Sequence, residues 1–267
     1  MNFLNIVAKE HFKNRYMIVR IALFQLKSTY MSNRLGLLWV LLNPLSQLAV
    51  YWVVFGLGIR GGASVEGVPF VLWLSCGLVP WLFIGSGIVQ GANSVSSQLG
   101  HVSKMKFPLS VLPSITILTQ LISHLIMLVM VLIAVVIKYG FFGLSYLGIV
   151  YYLIASLSLL SALALFTSTV SAFVRDFRFV IGAVTRALFF ITPIMWTVNA
   201  KTPELLKKVI HYNPVTYLVD GYRNAMLFNQ FYIATAYTAG FWLGVAVLFV
   251  WGAFIHVRFR KHFMDYQ

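Results

Sequence analysis

The sequence predicts an all-α polytopic membrane protein: six transmembrane helices, an amphipathic interface helix ahead of them, and re-entrant helices before the last span. Three observations lead there. Hydrophobic residues make up 60% of the 267, charged residues only 10%, and mean hydropathy is +0.86; soluble domains carry about 25% charged residues. Residues 67–98 and 107–137 contain no Lys, Arg, Asp or Glu, and uncharged runs of this length read as membrane-crossing helices. The apolar runs are continuous, whereas the strands of a membrane barrel alternate over about ten residues.

The formal charge of +14 does not call for a nucleic-acid partner, because polytopic proteins gather Lys and Arg on their cytoplasmic loops. The single cysteine, Cys76, lies in an apolar run and reads as a packing residue. The first 34 residues are expected to hold no cleavable signal peptide, being too charged and lacking a compact apolar stretch with a small-residue cleavage site.

Residues 1–34 hold six basic residues and one acid, Glu10. Phe12, Tyr16, Val19, Leu23, Leu26 and Tyr30 recur at spacings of four and three and fall on one helical stripe. Lys13, Arg20 and Lys27, seven apart, flank it. Such a helix suits the membrane interface, rings in the acyl boundary and cations on anionic headgroups. The alternative is a cytoplasmic helix packed on the bundle.

The expected spans are Leu37–Ile59, kinked by Pro44; Val68–Ser97, broken or tilted around Pro80; Leu109–Ile137; one within Tyr146–Val174; one within Phe179–Asn199; and Tyr232–Val257. Segments 1–34, 99–108, 175–178 and 258–267 hold thirteen Lys and Arg, against six in 60–67, 138–145 and 200–231. The positive-inside rule then puts both termini in the cytoplasm. On this reading residues 1–34 are the interface helix and 35–267 a single six-span domain. Segment 99–108 is a cytoplasmic coupling loop and 200–231 an outer pair of helices. Thr202-Pro203 and Asn213-Pro214 read as helix starts, giving helices over about 203–211 and 214–229. The second is apolar enough either to dip back into the bilayer or to lie as a lid, and Asp220 and Arg223 can pair on one face.

No enzyme site is legible: there is no HExxH, no Cys/His cluster, no GxSxG and no GxxxxGK[ST] loop. All six acids lie outside the spans, leaving His124 and Arg186 as the ionisable groups near mid-membrane, which weighs against a proton-coupled carrier. Arg186 could neutralise an anionic headgroup at the entrance of a pathway, snorkel to phosphates, or pair with Asp176. His124 reads as a hydrogen-bonded bundle residue rather than a proton relay. Among the many aromatic residues of the spans, Trp39, Phe189, Phe190 and Trp196 are candidates to line a sugar-conducting path. The basic loop with His101, Lys104, Met105, Lys106 and Phe107, together with Arg175 and Asp176, provides two short contact points on which a peripheral partner could push.

Several stretches resemble the permease subunits of ABC-2 type exporters that move lipid-linked polymers: LGLLWVLLNP (35–44), LVPWLF (78–83), KMKFPLSVLP (104–113), VRDF (174–177), TPIMW (192–196) and NPVTYLVDGYR (213–223). The resemblance runs over essentially the whole chain. Within that branch KEHFKN (9–14), VYWVVFGLGIR (50–60), GVPFVLWL (67–74) and VSKMKFPLS (102–110) are most similar to teichoic acid translocation permeases of Gram-positive bacteria; O-antigen and capsule permeases share the general motifs. The resemblance implies the type V exporter fold in the plasma membrane. It implies a homodimer over two ATPase subunits that carry the ATP and Mg2+, with no cofactor on this chain. Residues near 99–107 and 174–178 would be coupling helices, and the cargo an anionic polymer on undecaprenyl diphosphate. A small-molecule ABC-2 drug exporter and a non-transporting membrane scaffold are the competing classes.

Overall fold

The computed structural model describes residues 3–31, 34–59, 61–102, 107–140, 143–230 and 235–260. Its described residues form helices α1 (Phe3–Lys13), α2 (Arg15–Met31), α3 (Gly36–Ile59), α4 (Phe70–Asn93), α5 (Leu99–Val102), α6 (Val111–Tyr139), α7 (Leu147–Phe173), α8 (Phe177–Ile191), α9 (Glu204–Tyr212), α10 (Pro214–Leu227) and α11 (Ala236–Phe259). Among them α3, α4, α6, α11 and the stretch Gly143–Phe173 containing α7 are long and apolar enough to cross a membrane. We call the end carrying α1 and α2 basal and the opposite end, with α9 and α10, distal.

Helix α4 is the axis of the bundle. It packs on α6, α7, α8 and α10, and 78% of its most apolar window is buried. The sequence suggested a break at Pro80. The helix instead runs unbroken from Phe70 to Asn93 with Pro80 inside it. Proline removes one backbone hydrogen bond, but a helix enclosed by its neighbours keeps its course. Close approach is built from glycines. A Cβ at Gly91 would stand 2.7 Å from that of Ala164 on α7, and one at Gly221 of α10 would run into the Tyr152 ring.

Helix α3 lies at the edge of the bundle, with 6% of its most apolar window buried. Pro44 sits inside its regular part, Trp39–Tyr51, and from Trp52 to Ile59 the helix widens to longer-range hydrogen bonds. Such wide turns are a recognised way to re-aim a helix.

Within the expected fifth-span region, 179–199, the regular helix stops early. The helix is α8, 15 residues long, about 22 Å at 1.5 Å per residue. It ends because Pro193 follows: the residue before proline is driven out of the helical region, and Thr192 is extended at φ −73°, ψ 131°. Residues 192–195 continue as buried, irregular chain.

The predicted single N-terminal helix is two nearly continuous ones meeting at Asn14. Its apolar surface divides. Phe12, Tyr16, Val19 and Leu23 face outward, while Val7, Ile18, Ala22 and Leu26 are buried against the bundle. Leu26, predicted on the outward stripe, therefore belongs to the core. Lys13, Arg20 and Lys27 are exposed. The Arg15 and Arg20 guanidinium groups lie 5.0 and 5.6 Å from the centroids of Phe12 and Tyr16. One face of this helix packs on the bundle, and the other presents Phe12 and Tyr16 beside Arg15 and Arg20.

Candidate functional site

At the basal end three chain segments share one small apolar core of Ile18, Ala22, Val95, Leu99, Val111, Leu112, Ile115 and Ala172. Phe107 and Phe173 pack on its edge. Val95 and Leu99 before residues 103–106, Val111 and Leu112 after them, and Ala172 in the last turn of α7 thus rest on the same cluster together with α2. His101 lies in α5; Lys104, Met105 and Lys106 fall outside the described residues. Arg175 and Asp176 are exposed on the turn into α8. Glu10, which the sequence reading counted only as an acid, is a three-way node. Its carboxylate receives Arg260 Nη1 at 2.7 Å and the Ser110 hydroxyl, joining α1 to the ends of α11 and α6. One helical position on, His11 Nε2 is 2.7 Å from Ser114 Oγ.

The candidate path residues separate into two places. Phe189 and Phe190 at the end of α8 have ring centroids 5.3 Å apart, and Trp196 Nε1 donates to Phe190 O at 3.0 Å. Phe189 also meets Trp81 of α4 at 5.3 Å and Tyr51 of α3 at 5.6 Å. Trp39 does not join them: it is half-buried in the first turn of α3's regular part, twelve residues or about 18 Å along the axis from Tyr51. Arg186 is exposed on the outer face of α8, which also shows Phe179, Val180, Val184 and Phe190. It has no ion-pair partner among the described residues, so the structure does not join it to Asp176. His124 is buried. Its ring stacks on Phe83 at 4.7 Å and its Nε2 is 3.4 Å from Tyr222 Oη.

The charge that is buried is Arg223, 5% exposed. It donates to Pro193 O at 3.1 Å, to Ile194 O at 3.2 Å and to Asp220 Oδ1 at 3.2 Å. Its guanidinium carbon lies 3.8 Å from the centroid of Trp73, and a Cβ at Gly77 would collide with Nη2. Asn213 completes the joint. Its Oδ1 accepts from Val215 N at 3.0 Å, with Pro214 in the first position as predicted, and its Nδ2 donates to Thr192 Oγ1 at 3.0 Å. Thr202 does not cap α9; its hydroxyl instead accepts from Asn199 N at 3.1 Å. The stretches TPIMW and NPVTYLVDGYR, separated by residues 197–212, therefore meet on α4. The carbonyls freed where α8 stops are satisfied by the one arginine of α10, as buried backbone groups require.

Beside this joint a distal cavity of about 460 Å³ is lined by Tyr152, Tyr217 and Tyr237 with Lys207, Asp220 and Asn224. The spacing of Asp220 and Arg223 was visible in the sequence. The carbonyls and the tryptophan that hold Arg223 were not, because they come from α4 and from the unwound end of α8.

The profile of the ABC-2 type transporter family matches residues 18–227. The O-antigen export system permease protein RfbA of Myxococcus xanthus is 23% identical over 250 residues, covering 92% of this chain and 93% of that protein. A protein of the same name from Klebsiella pneumoniae is 28% identical over 237 residues, covering 87% and 89%. With the greater part of its length matched by the profile, the chain belongs to the ABC-2 type transporter family.

Proposed function

We propose that this chain is the membrane permease of an ATP-driven exporter of a lipid-linked polysaccharide, working as a homodimer with two ATPase subunits that hold the ATP and Mg2+. The observation that carries the reading is the basal core: Leu99 and Phe107 of the segment before α6, the last turn of α7 and the interface helix rest on one cluster. A stroke delivered at the segment before α6 and at Arg175 and Asp176 would pass through this cluster to α2, α6 and α7. The basal end is the cytoplasmic one, because the excess of Lys and Arg gathers there. Both termini then lie in the cytoplasm. α8 with the extended chain after it completes a sixth crossing, and α9 and α10 form the outer re-entrant pair.

The exposed faces of α3 and α8 fit a second copy of the chain, with the path between the copies. Arg186 on that face would meet the anionic headgroup, and Phe189, Phe190 and Trp196 would line the outer half of the path. Two cargoes fit: teichoic acid, favoured by the local motifs, and O-antigen, the cargo in the names of the relatives. The test is ATPase activity of the co-purified complex in lipid nanodiscs, with a lipid-linked teichoic acid precursor and with a neutral lipid-linked glycan of similar length. Stimulation by the phosphate polymer alone assigns teichoic acid. Stimulation by the neutral glycan assigns a general polysaccharide exporter. Absence of any co-purifying ATPase overturns the reading.

A further inference from the structure

A cavity of about 350 Å³ opens at the basal end between the last turns of α2, the end of α4 and the first half of α6. Three helices each turn a polar stripe into it. On α6 the stripe is Thr116, Thr119, Gln120 and Ser123; on α4 and its continuation it is Gln90, Asn93, Ser94 and Ser97. Both follow the spacing 0, 3, 4, 7 that keeps residues on one helical face. On α2 it is Gln25, Ser28 and Thr29. Leu26 is the one aliphatic side chain in the lining, and no Lys, Arg, Asp, Glu or His is among the described residues there.

This is an unusual place for such a surface. α6 has the highest mean hydropathy of the five long helices, 2.7, and its stripe lies about 7–18 Å inside the start of the helix. Polar side chains at that depth are tolerated where they face a cavity and have something to bond. The stripes do not satisfy one another fully. Gln120 Nε2 donates to Gln90 Oε1 at 2.8 Å and Asn93 Nδ2 donates to Val89 O at 3.0 Å, while Thr119 Oγ1 donates to Ile115 O at 2.9 Å, with Gln25 Oε1 3.2 Å away. Gln90, Asn93 and Gln120 thus each commit one end of their amide to the protein. The Gln25 and Gln90 amino groups and the Asn93 and Gln120 carbonyls are left for a ligand.

We infer that this cleft binds an uncharged sugar unit of a lipid headgroup. Amide groups offering donors beside acceptors, interleaved with hydroxyls, complement neighbouring sugar hydroxyls, each of which both donates and accepts. A phosphate would call for Arg or Lys, and the lining has neither. The volume lies at the lower end of ligand sites, about 300–1,000 Å³. The inference deepens the export reading and rests on it for the identity of the lipid. The cleft reads the sugar next to the carrier, and the carrier's diphosphate lies outside it. A sugar-headed membrane glycolipid offers the same chemistry.

The experiment is photo-crosslinking of the wild-type complex in nanodiscs, using undecaprenyl diphosphate that bears one hexose with a diazirine on the ring. Labelled peptides are mapped by mass spectrometry. Label is expected in 90–98 and 116–123. Unlabelled glycosylated carrier should suppress it at least tenfold better than bare undecaprenyl diphosphate, and Gln90→Leu should weaken that competition about tenfold, with Gln90→Asn between. Equal suppression by monoglucosyl diacylglycerol supports the cleft and assigns its sugar to the bilayer. Label elsewhere, or equal competition by the bare diphosphate, overturns the inference. ATPase stimulation read in the same nanodiscs separates the two readings. Cleft labelling without stimulation by any lipid-linked polymer sinks export and leaves the cleft; stimulation without cleft labelling does the reverse.

Discussion

Helices α3 and α4 are made of nearly the same material and meet opposite fates. Each has 24 residues, with mean hydropathies of 1.6 and 1.8, yet 6% of one window and 78% of the other is buried. The difference lies in size and shape rather than in apolarity. α4 carries Ser75, Cys76, Gly77, Gly87 and Gly91 among its buried positions, and small residues let helix backbones approach in a bilayer where apolar attraction between helices is absent. α3 presents Leu42, Leu45, Val53, Val54 and Leu57 to the outside. Its one buried glycine, Gly56, is a place where a Cβ would stand 2.9 Å from the rings of Phe70 and Trp52. Hydropathy says that a segment leaves water. It does not say whether it leaves for lipid or for protein.

The largest expected effect is at the joint that fastens α10 to α4. Arg223→Ala leaves the Pro193 and Ile194 carbonyls without their donor, a loss of about 3 kcal/mol; Asp220, 43% exposed at its side chain, adds little. We expect loss of monodisperse protein on fluorescence-detected size exclusion, with Arg223→Lys intermediate. A normal profile for Arg223→Ala would mean that α4 is not held by this joint. Gly77→Ala presses a methyl group on the guanidinium and should lower the melting temperature by an amount matching about 1–3 kcal/mol.

On the other side of the comparison, the exposed faces should be silent for folding and loud for function. Arg186→Ala should leave the melting temperature unchanged, within about 0.5 kcal/mol, and weaken substrate-stimulated ATPase several-fold, while Arg186→Lys keeps part of it. Equal stimulation in all three proteins would remove Arg186 from the path. In a Cys76→Ala background, single cysteines at Leu45, Val53 and Leu57 should form disulfide-linked dimers in membranes and one at Leu144 should not. The opposite pattern would place the second copy on another face. A small effect on stability is also expected at the Glu10 node. Its ion pair with Arg260 is partly solvated, at 22% and 33% side-chain exposure, so Glu10→Gln should cost no more than about 1 kcal/mol while reducing the coupling of ATP hydrolysis to transport. Tight coupling in that variant would show that α1 is only an anchor.

Much of this was legible in one dimension. Long uncharged runs mark the spans because a helix crossing a bilayer needs about 20 apolar residues whatever its neighbours are. The Asn213-Pro214 start of α10 was readable because a cap is a local hydrogen bond. Thr202-Pro203 obeyed the same rule and misled, because the Thr202 hydroxyl was taken up by the preceding turn. Proline was legible only where its context was local. Pro193 ends α8, which has few walls; Pro80 leaves α4 unbroken, surrounded by α3, α6, α7, α8 and α10.

The sequence by itself determined the membrane class, the approximate position of every long helix, the basic end of the bundle and the resemblance that the family match upheld. Those depend on composition and on short-range rules. Tertiary structure decided which helix became the axis, that Arg223 rather than Arg186 is the buried charge, that Trp39 stands apart from Phe189 and Phe190, and that three polar stripes close into one cleft. Each of these depends on which faces meet. A face acquires its partner only when segments far apart in the chain are packed together.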